Sequence, residues 1–128
     1  MGDITKLKVW KSSLDLASQV YTLSQEGPLA KDFSFRDQIR RAAVSVPSNI
    51  AEGASSGFDR LGIRYFYNAR ASCSELKTQL IIAQRINYIN QSKFDQLIAS
   101  IDSILKMLNS FINYRKVVYK KIKPEKRL

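Results

Sequence analysis

The sequence predicts an all-α protein: an antiparallel up-down bundle of four helices, the second kinked at Pro47. Three observations carry this. Apolar residues recur at 3-4 spacing through four long segments, and no segment alternates with period two. Proline and glycine are scarce, three and five in 128 residues, and most of them sit between segments. The links are short, which favours antiparallel neighbours.

The first helix is expected from about Thr5 to Ser24, with Asp3 as its cap. It carries two apolar stripes. Leu7, Trp10, Leu14, Ala17 and Tyr21 form one; Val9, Leu16, Val20 and Leu23 form the other, almost opposite at about 100° per residue. A helix apolar on two sides needs two hydrophobic neighbours. The second stripe is therefore the expected subunit interface, unless the tail or the 26–33 loop covers it.

The second helix is expected to begin near Ser34, where Ser34 and Asp37 resemble a capping box. Its inward face is Ile39, Ala42, Ala43, Val46 and Ile50. Asp37 stands four residues before Arg41, a favourable ion-pair order. Pro47 removes the bond to the Ala43 carbonyl, but the stripe resumes in phase at Ile50, so a kink is expected rather than a stop. Ala42, Ala43, Ser45, Ser48 and Ala51 are small enough to admit a neighbouring helix closely. Ser and Asn near the kink are candidates to bond backbone groups that the proline leaves unpaired. Gly53 suits the C-terminal cap.

The third helix is expected from Asp59, its cap, to about Ile86. Phe66, Ala69, Cys73, Leu76, Leu80 and Ala83 form its core face; Ile63, Tyr67, Ile81 and Ile82 lie outside that arc and hint at a neighbour. The fourth helix pairs Ser92 with Asp95 as a cap. It places Phe94, Leu97, Ile98, Ile101, Ile104, Leu105, Leu108 and Ile112 on one face, and Asp95, Ala99, Asp102, Lys106 and Asn113 on the other. Domain boundaries follow: a bundle over 1–115 and a basic tail over 116–128, continuing the last helix for a turn or two.

The net charge of +10 is unevenly spread: the last fourteen residues, RKVVYKKIKPEKRL, hold seven of the 21 basic groups and one of the 11 acidic ones. A basic tail on a mildly basic body points to a polyanion, usually nucleic acid. No stretch approaches the ~20 apolar residues of a membrane span. The opening MGDITKLKVWK lacks the apolar region of a secretory signal, so a cytoplasmic location is expected.

Chemistry is constrained by what is missing. With no histidine and one cysteine, the chain lacks the commonest general base and zinc ligand, and cannot build a thiolate–imidazole pair. GASSG at 53–57 lacks the lysine and preceding strand of a phosphate loop. No enzyme activity, metal, cofactor or small-molecule substrate is expected. Glu52 and Glu75 are expected to approach each other or the Arg40–Arg41 pair, as structural salt bridges; whether Arg40 and Arg41 bind ligand or serve those bridges stays open.

The stretch QIRRAAVSVPSNIAEG, Gln38 to Gly53, resembles the signature of the four-helix-bundle proteins encoded in intervening sequences of bacterial 23S rRNA genes. FYNARASCSELKTQLIIAQRINYI, Phe66 to Ile89, resembles that family's third helix, with Ala71 where a glycine is expected; LKVWKSSLDLASQVY also fits. The resemblance covers nearly all but the tail. It implies a four-helix bundle and kinship with the accessory variability protein of diversity-generating retroelements. That relative is a pentameric barrel that binds nucleic acid and a reverse transcriptase.

The expectation is thus a non-catalytic, homo-oligomeric nucleic-acid-binding accessory protein, with a pentamer implied by the resemblance. The alternative is a protein-interaction scaffold, for example for a reverse transcriptase, that does not touch nucleic acid. Candidate phosphate contacts are Lys116, Lys120, Lys121, Lys123, Lys126 and Arg127 in the tail, with Arg36, Arg40, Arg60 and Arg64 on the body. Candidate interface residues are Val9, Leu16, Val20, Leu23, Tyr67, Ile81 and Ile82.

Overall fold

Helices make up almost all of the computed structural model, which describes residues 7–56 and 60–122, and for Arg60 and Leu61 the backbone only. They are α1 (Lys8–Leu23), α2 (Gly27–Lys31), α3 (Phe33–Ser55), α4 (Arg60–Arg85) and α5 (Gln91–Ile122). No strand occurs among the described residues. Each long helix touches two others: α1 meets α3 and α5, and α4 meets α3 and α5. Their apolar faces share one core.

The third and fourth predicted faces match the structure closely. Phe66, Ala69, Cys73, Leu76, Leu80 and Ala83 are fully buried, as are Ile101, Ile104, Leu108 and Ile112 within a few per cent. Ile63 departs from expectation: it is buried with the core set. The last two helices are joined by a Schellman turn. Asn87 takes a left-handed φ of 63°, the Tyr88 amide donates to the Ala83 carbonyl at 2.8 Å and the Asn87 amide to Gln84 at 3.1 Å.

The first helix reverses its expected orientation. Val9, Leu16 and Val20 are buried in the protomer's own core, and half-buried Leu23 packs against it. Of the other stripe, Leu14 and Tyr21 look outward, 39% and 38% exposed, while Trp10 and Ala17 pack partly buried at the core's edge. The aliphatic stripe leaves no polar atom to satisfy, whereas Trp10 and Tyr21 carry polar tips better kept near water. So Val9, Leu16, Val20 and Leu23 do not form a subunit-facing surface.

Several ends are also capped differently from the prediction. Asp32, not Ser34, caps α3 by accepting from the Phe35 amide at 3.3 Å. Asn90 caps α5, its Oδ1 accepting from the Lys93 amide at 2.8 Å, in place of the Ser92–Asp95 pair. Gly53 lies inside α3 and is buried; the C-cap is Ser56. The 26–33 link folds one short helix, α2, opened by Gly27-Pro28 and anchored by buried Leu29. Asp3 and Asp59, the expected caps of the first and third helices, lie outside the described residues.

α3 passes through Pro47 as one helix, and Pro47 is buried. Asn49 Nδ2 donates to the Ser45 carbonyl at 2.8 Å and to the Ser45 hydroxyl at 3.0 Å. The amide bond therefore falls on Ser45, not on the Ala43 carbonyl that loses its partner to the proline. Gly53 is required by packing: a Cβ there would lie 2.8 Å from Phe66 Cζ.

Candidate nucleic-acid interface

The seam between α4 and α5 is antiparallel and polar on its outer side. Lys77 Nζ meets Asp102 Oδ1 at 2.8 Å. One helical stretch along, Arg70 Nη1 donates to Asn109 Oδ1 at 3.0 Å. The Arg70 guanidinium also lies 4.7 Å from the Tyr67 ring centroid, and Lys116 Nζ lies 5.2 Å from the same ring. Tyr67 is thus held against two cations. The register that pairs 77 with 102 and 70 with 109 sets Arg64 and the backbone of Arg60 level with residues 115–120.

Beyond Asp102 the carboxylates stop. α5 has none from 103 to 122, and α4 has none from 60 to 74. Arg64, Lys116, Lys120 and Lys121 are exposed on this end, and Arg70 is half-buried. Lys120 and Lys121 also lie in the last turn of α5, where cations are favoured by the helix dipole.

The expected phosphate contacts therefore split into groups. Lys116, Lys120, Lys121 and Arg64 share the carboxylate-poor end, where the backbone places Arg60 as well. Lys123, Lys126 and Arg127 lie outside the described residues. Arg36 and Arg40 stand apart: 17 positions separate Arg36 from Gly53, about 25 Å of helix rise. Both are engaged. Arg36 meets Asp37 at 3.2 Å, donates to the Ala30 carbonyl and covers the Phe33 ring. Arg40 Nε donates to Ser24 Oγ at 2.7 Å, with its guanidinium 4.6 Å from the Tyr21 centroid. The ion pairs among the described residues are Arg36–Asp37 and Lys77–Asp102. Neither Arg40 nor Arg41 pairs with Glu52 or Glu75, and Asp37 pairs with its chain neighbour rather than with Arg41.

Of the other expected interface residues, Tyr67 and Ile81 are half-buried and Ile82 is 45% exposed. Arg70 and Arg115 were not singled out from the sequence. Arg115 is fully buried and donates from Nη2 to the Gly53 carbonyl at 3.1 Å. Its guanidinium carbon stands 5.1 Å from the Phe66 centroid and 5.7 Å from that of Phe111. The signal was present in the spacing: 101, 104, 108, 112 and 115 continue one stripe at 3-4 intervals, and only the residue type hides it.

Cys73 sits in the core, where burial pushes its thiol up to about 12. No group of three metal-ligating side chains gathers among the described residues. No helix there is long and apolar enough to cross a membrane.

Among the described residues, these features define a helical protein with a packed apolar core and basic stretches of α4 and α5 that carry no carboxylate. A family model described as 23S rRNA-intervening sequence protein matches residues 5–110. The chain belongs to that family. Its fold is similar to the 1.70 Å crystal structure of a protein with unknown function from the S23 ribosomal protein family of Bacteroides thetaiotaomicron VPI-5482. The two share 25% identity and a TM-score of 0.73, over 81% of this chain and 97% of that one. No curated protein matches the sequence.

Proposed function

We propose that this protein is a non-catalytic accessory protein that binds the phosphate backbone of nucleic acid, as a homo-oligomer. The carrying observation is the α4–α5 end, where Arg64, Arg70, Lys116, Lys120 and Lys121 gather on stretches free of carboxylates. Such a surface gains affinity by releasing condensed counterions, so binding is strongly salt-dependent and reads little sequence. The absence of histidine and the buried, neutral thiol of Cys73 support a non-catalytic role. In this reading the four long helices form an antiparallel up-down bundle with α3 bent at Pro47, and α2 is part of a link.

The test is a titration of a 20-nucleotide RNA strand and a 20-base-pair DNA duplex at two salt concentrations. The expected result is binding at low salt, weakened by salt with a slope of about −0.7 to −0.9 per phosphate contacted. Arg64→Gln with Arg70→Gln should flatten that slope by about one to two contacts. No binding to either probe at low salt defeats the reading.

The oligomer rests on a separate observation. Leu14, Tyr21 and, on α3, Val44 at 42% exposure leave apolar surface facing outward. A groove between α1 and α5 is walled by Ser12, Asp15 and Gln19 on one side and by Ala99, Ser100 and Ser103 on the other, over a floor of Leu16 and Ile104. Knobs on one side and a groove on another make a heterologous contact, the kind that closes rings. Five subunits is the number implied by the resemblance. Light scattering at micromolar concentration decides it: a monomer mass ends the proposal, and Leu14→Glu should convert an oligomer to monomer.

The same apolar stripe favours a second reading, a scaffold for a protein partner such as a reverse transcriptase. A reverse transcriptase gene beside this one, with no binding of either nucleic-acid probe, would select it.

A further inference from the structure

The last seven described residues of α5, KVVYKKI, are helical and mix three lysines, which suit a helix, with β-branched residues, which suit it less. Val117, Val118 and Ile122 are β-branched, and as the last turns of a 32-residue helix this segment is the part of α5 most open to fraying. Among the described residues its neighbours are few: α1 begins level with Ser110 and Phe111, and α3 ends level with Arg115. Val117 and Ile122 are about half exposed. Something must hold the segment in line with the bundle.

We infer that Arg115 is the positioning residue that fixes this basic extension of α5 as a rigid arm beside α4. Its guanidinium is fully buried yet reaches the Gly53 carbonyl at 3.1 Å, near the C-terminus of α3. Carbonyls there are short of intrahelical partners and carry the negative end of the helix dipole. The Phe66 and Phe111 rings stand within 6 Å of the cation. Gly53 makes this possible in two ways. It has no side chain to collide with Phe66, and its carbonyl receives the arginine. The bond joins residues 62 positions apart and stops α5 from pivoting at the bundle's edge. At the next residue, Lys116 reaches the Tyr67 ring and sets the register against α4.

The consequence rests on the nucleic-acid reading above. With the arm fixed, Lys116 and Lys120 stand beside Arg64 and Arg70 as one surface, rather than trailing as a flexible tail. The lysines then act together with the α4 arginines, because both sets meet the same stretch of backbone.

Amide hydrogen exchange on the full chain tests the arm directly, without any ligand. In the wild type, the amides of residues 118–122 should be protected. In Arg115→Met, which keeps most of the volume, they should exchange about tenfold faster, the scale of losing one hydrogen bond to a charged group. The α4 core amides around Leu76 and Leu80 should move far less. Unprotected wild-type amides, or no change in Arg115→Met, overturn the inference. So does an equal acceleration through the whole bundle, because Arg115 would then be a general core residue. The second arm uses the same RNA strand and duplex. Lys116→Gln with Lys120→Gln should cost more affinity in the wild-type background than in Arg115→Met; equal losses overturn the shared surface. If the wild type binds neither probe, the proposed function fails, while the exchange result still decides the role of Arg115.

Discussion

The Ser45 and Ser72 hydroxyls meet at 2.8 Å across the contact between α3 and α4. Asn49 donates to Ser45 Oγ, and Ser72 Oγ also reaches the Asn68 carbonyl at 3.0 Å. Four polar side-chain and backbone groups therefore close on one another where α3 and α4 meet through small residues. Larger side chains at 45 or 72 would hold the helices apart.

Ser72→Ala removes one member of that network and leaves Ser45 with fewer partners. The expected loss is about 1 kcal/mol, because a hydrogen bond's net worth is of that order. Chemical denaturation should show a lower midpoint with an unchanged slope. Ser72→Leu should cost more, about 1–3 kcal/mol, by overpacking the same contact.

Gly53→Ala sets two effects against each other. Alanine favours a helix over glycine by about 1 kcal/mol. The added Cβ would sit 2.8 Å from Phe66 Cζ and 2.9 Å from Cε2, and that ring is fully buried. Overpacking of about 1–3 kcal/mol should win, giving a net destabilisation. Phe66→Leu in the same chain should recover part of it, which a thermal melt of the double variant checks.

Cys73 gives a pH dependence. Its folded pKa, pushed up to about 12 by burial, lies above the ordinary thiol value of 9.0. The folded state therefore holds the proton more tightly. The contribution is complete below about pH 9 and is lost as pH rises from there toward about 12. Wild type should lose more stability than Cys73→Ala between pH 8 and pH 10. At pH 8 the native thiol should resist a thiol reagent and react only on unfolding.

Asp32 serves two partners. One oxygen caps α3 at the Phe35 amide, and the other accepts from the Tyr88 hydroxyl at 2.9 Å. The hydrogen bond to Asp32 raises the Tyr88 pKa. Asp32→Ala should cost about 0.5–2 kcal/mol as a lost cap. Tyr88→Phe should cost less, since it leaves the cap in place. A double-mutant cycle between the two, read by urea denaturation, should show coupling; strict additivity would contradict the shared carboxylate.

The helical class, the links and the inward faces of α4 and α5 were legible because 3-4 periodicity states them directly. Phe66, Cys73, Leu76, Ile101, Ile104 and Leu108 could be placed inside without knowing any neighbour. Caps were harder. Ser34 and Ser92 had suitable chemistry, but Asp32 and Asn90 each stood two residues earlier with side chains of the same kind. The basic end was half legible. Lysines near the C-terminus are evident in the sequence, whereas Arg70 and Arg115 take their roles from partners on other helices, Asn109 and Gly53.

Sequence alone determined that this chain is helical, where its long helices run, and that α1 is apolar on two sides. It also determined which stretches carry no carboxylate. Tertiary structure decided which flank of α1 turns inward: both stripes are apolar and compete for the core, and the one bearing Trp10 and Tyr21 keeps its polar tips near water. It decided the fate of Arg115 as well. A buried guanidinium is tolerable only beside a suitable acceptor, and here that acceptor is the carbonyl of Gly53, 62 residues away along the chain.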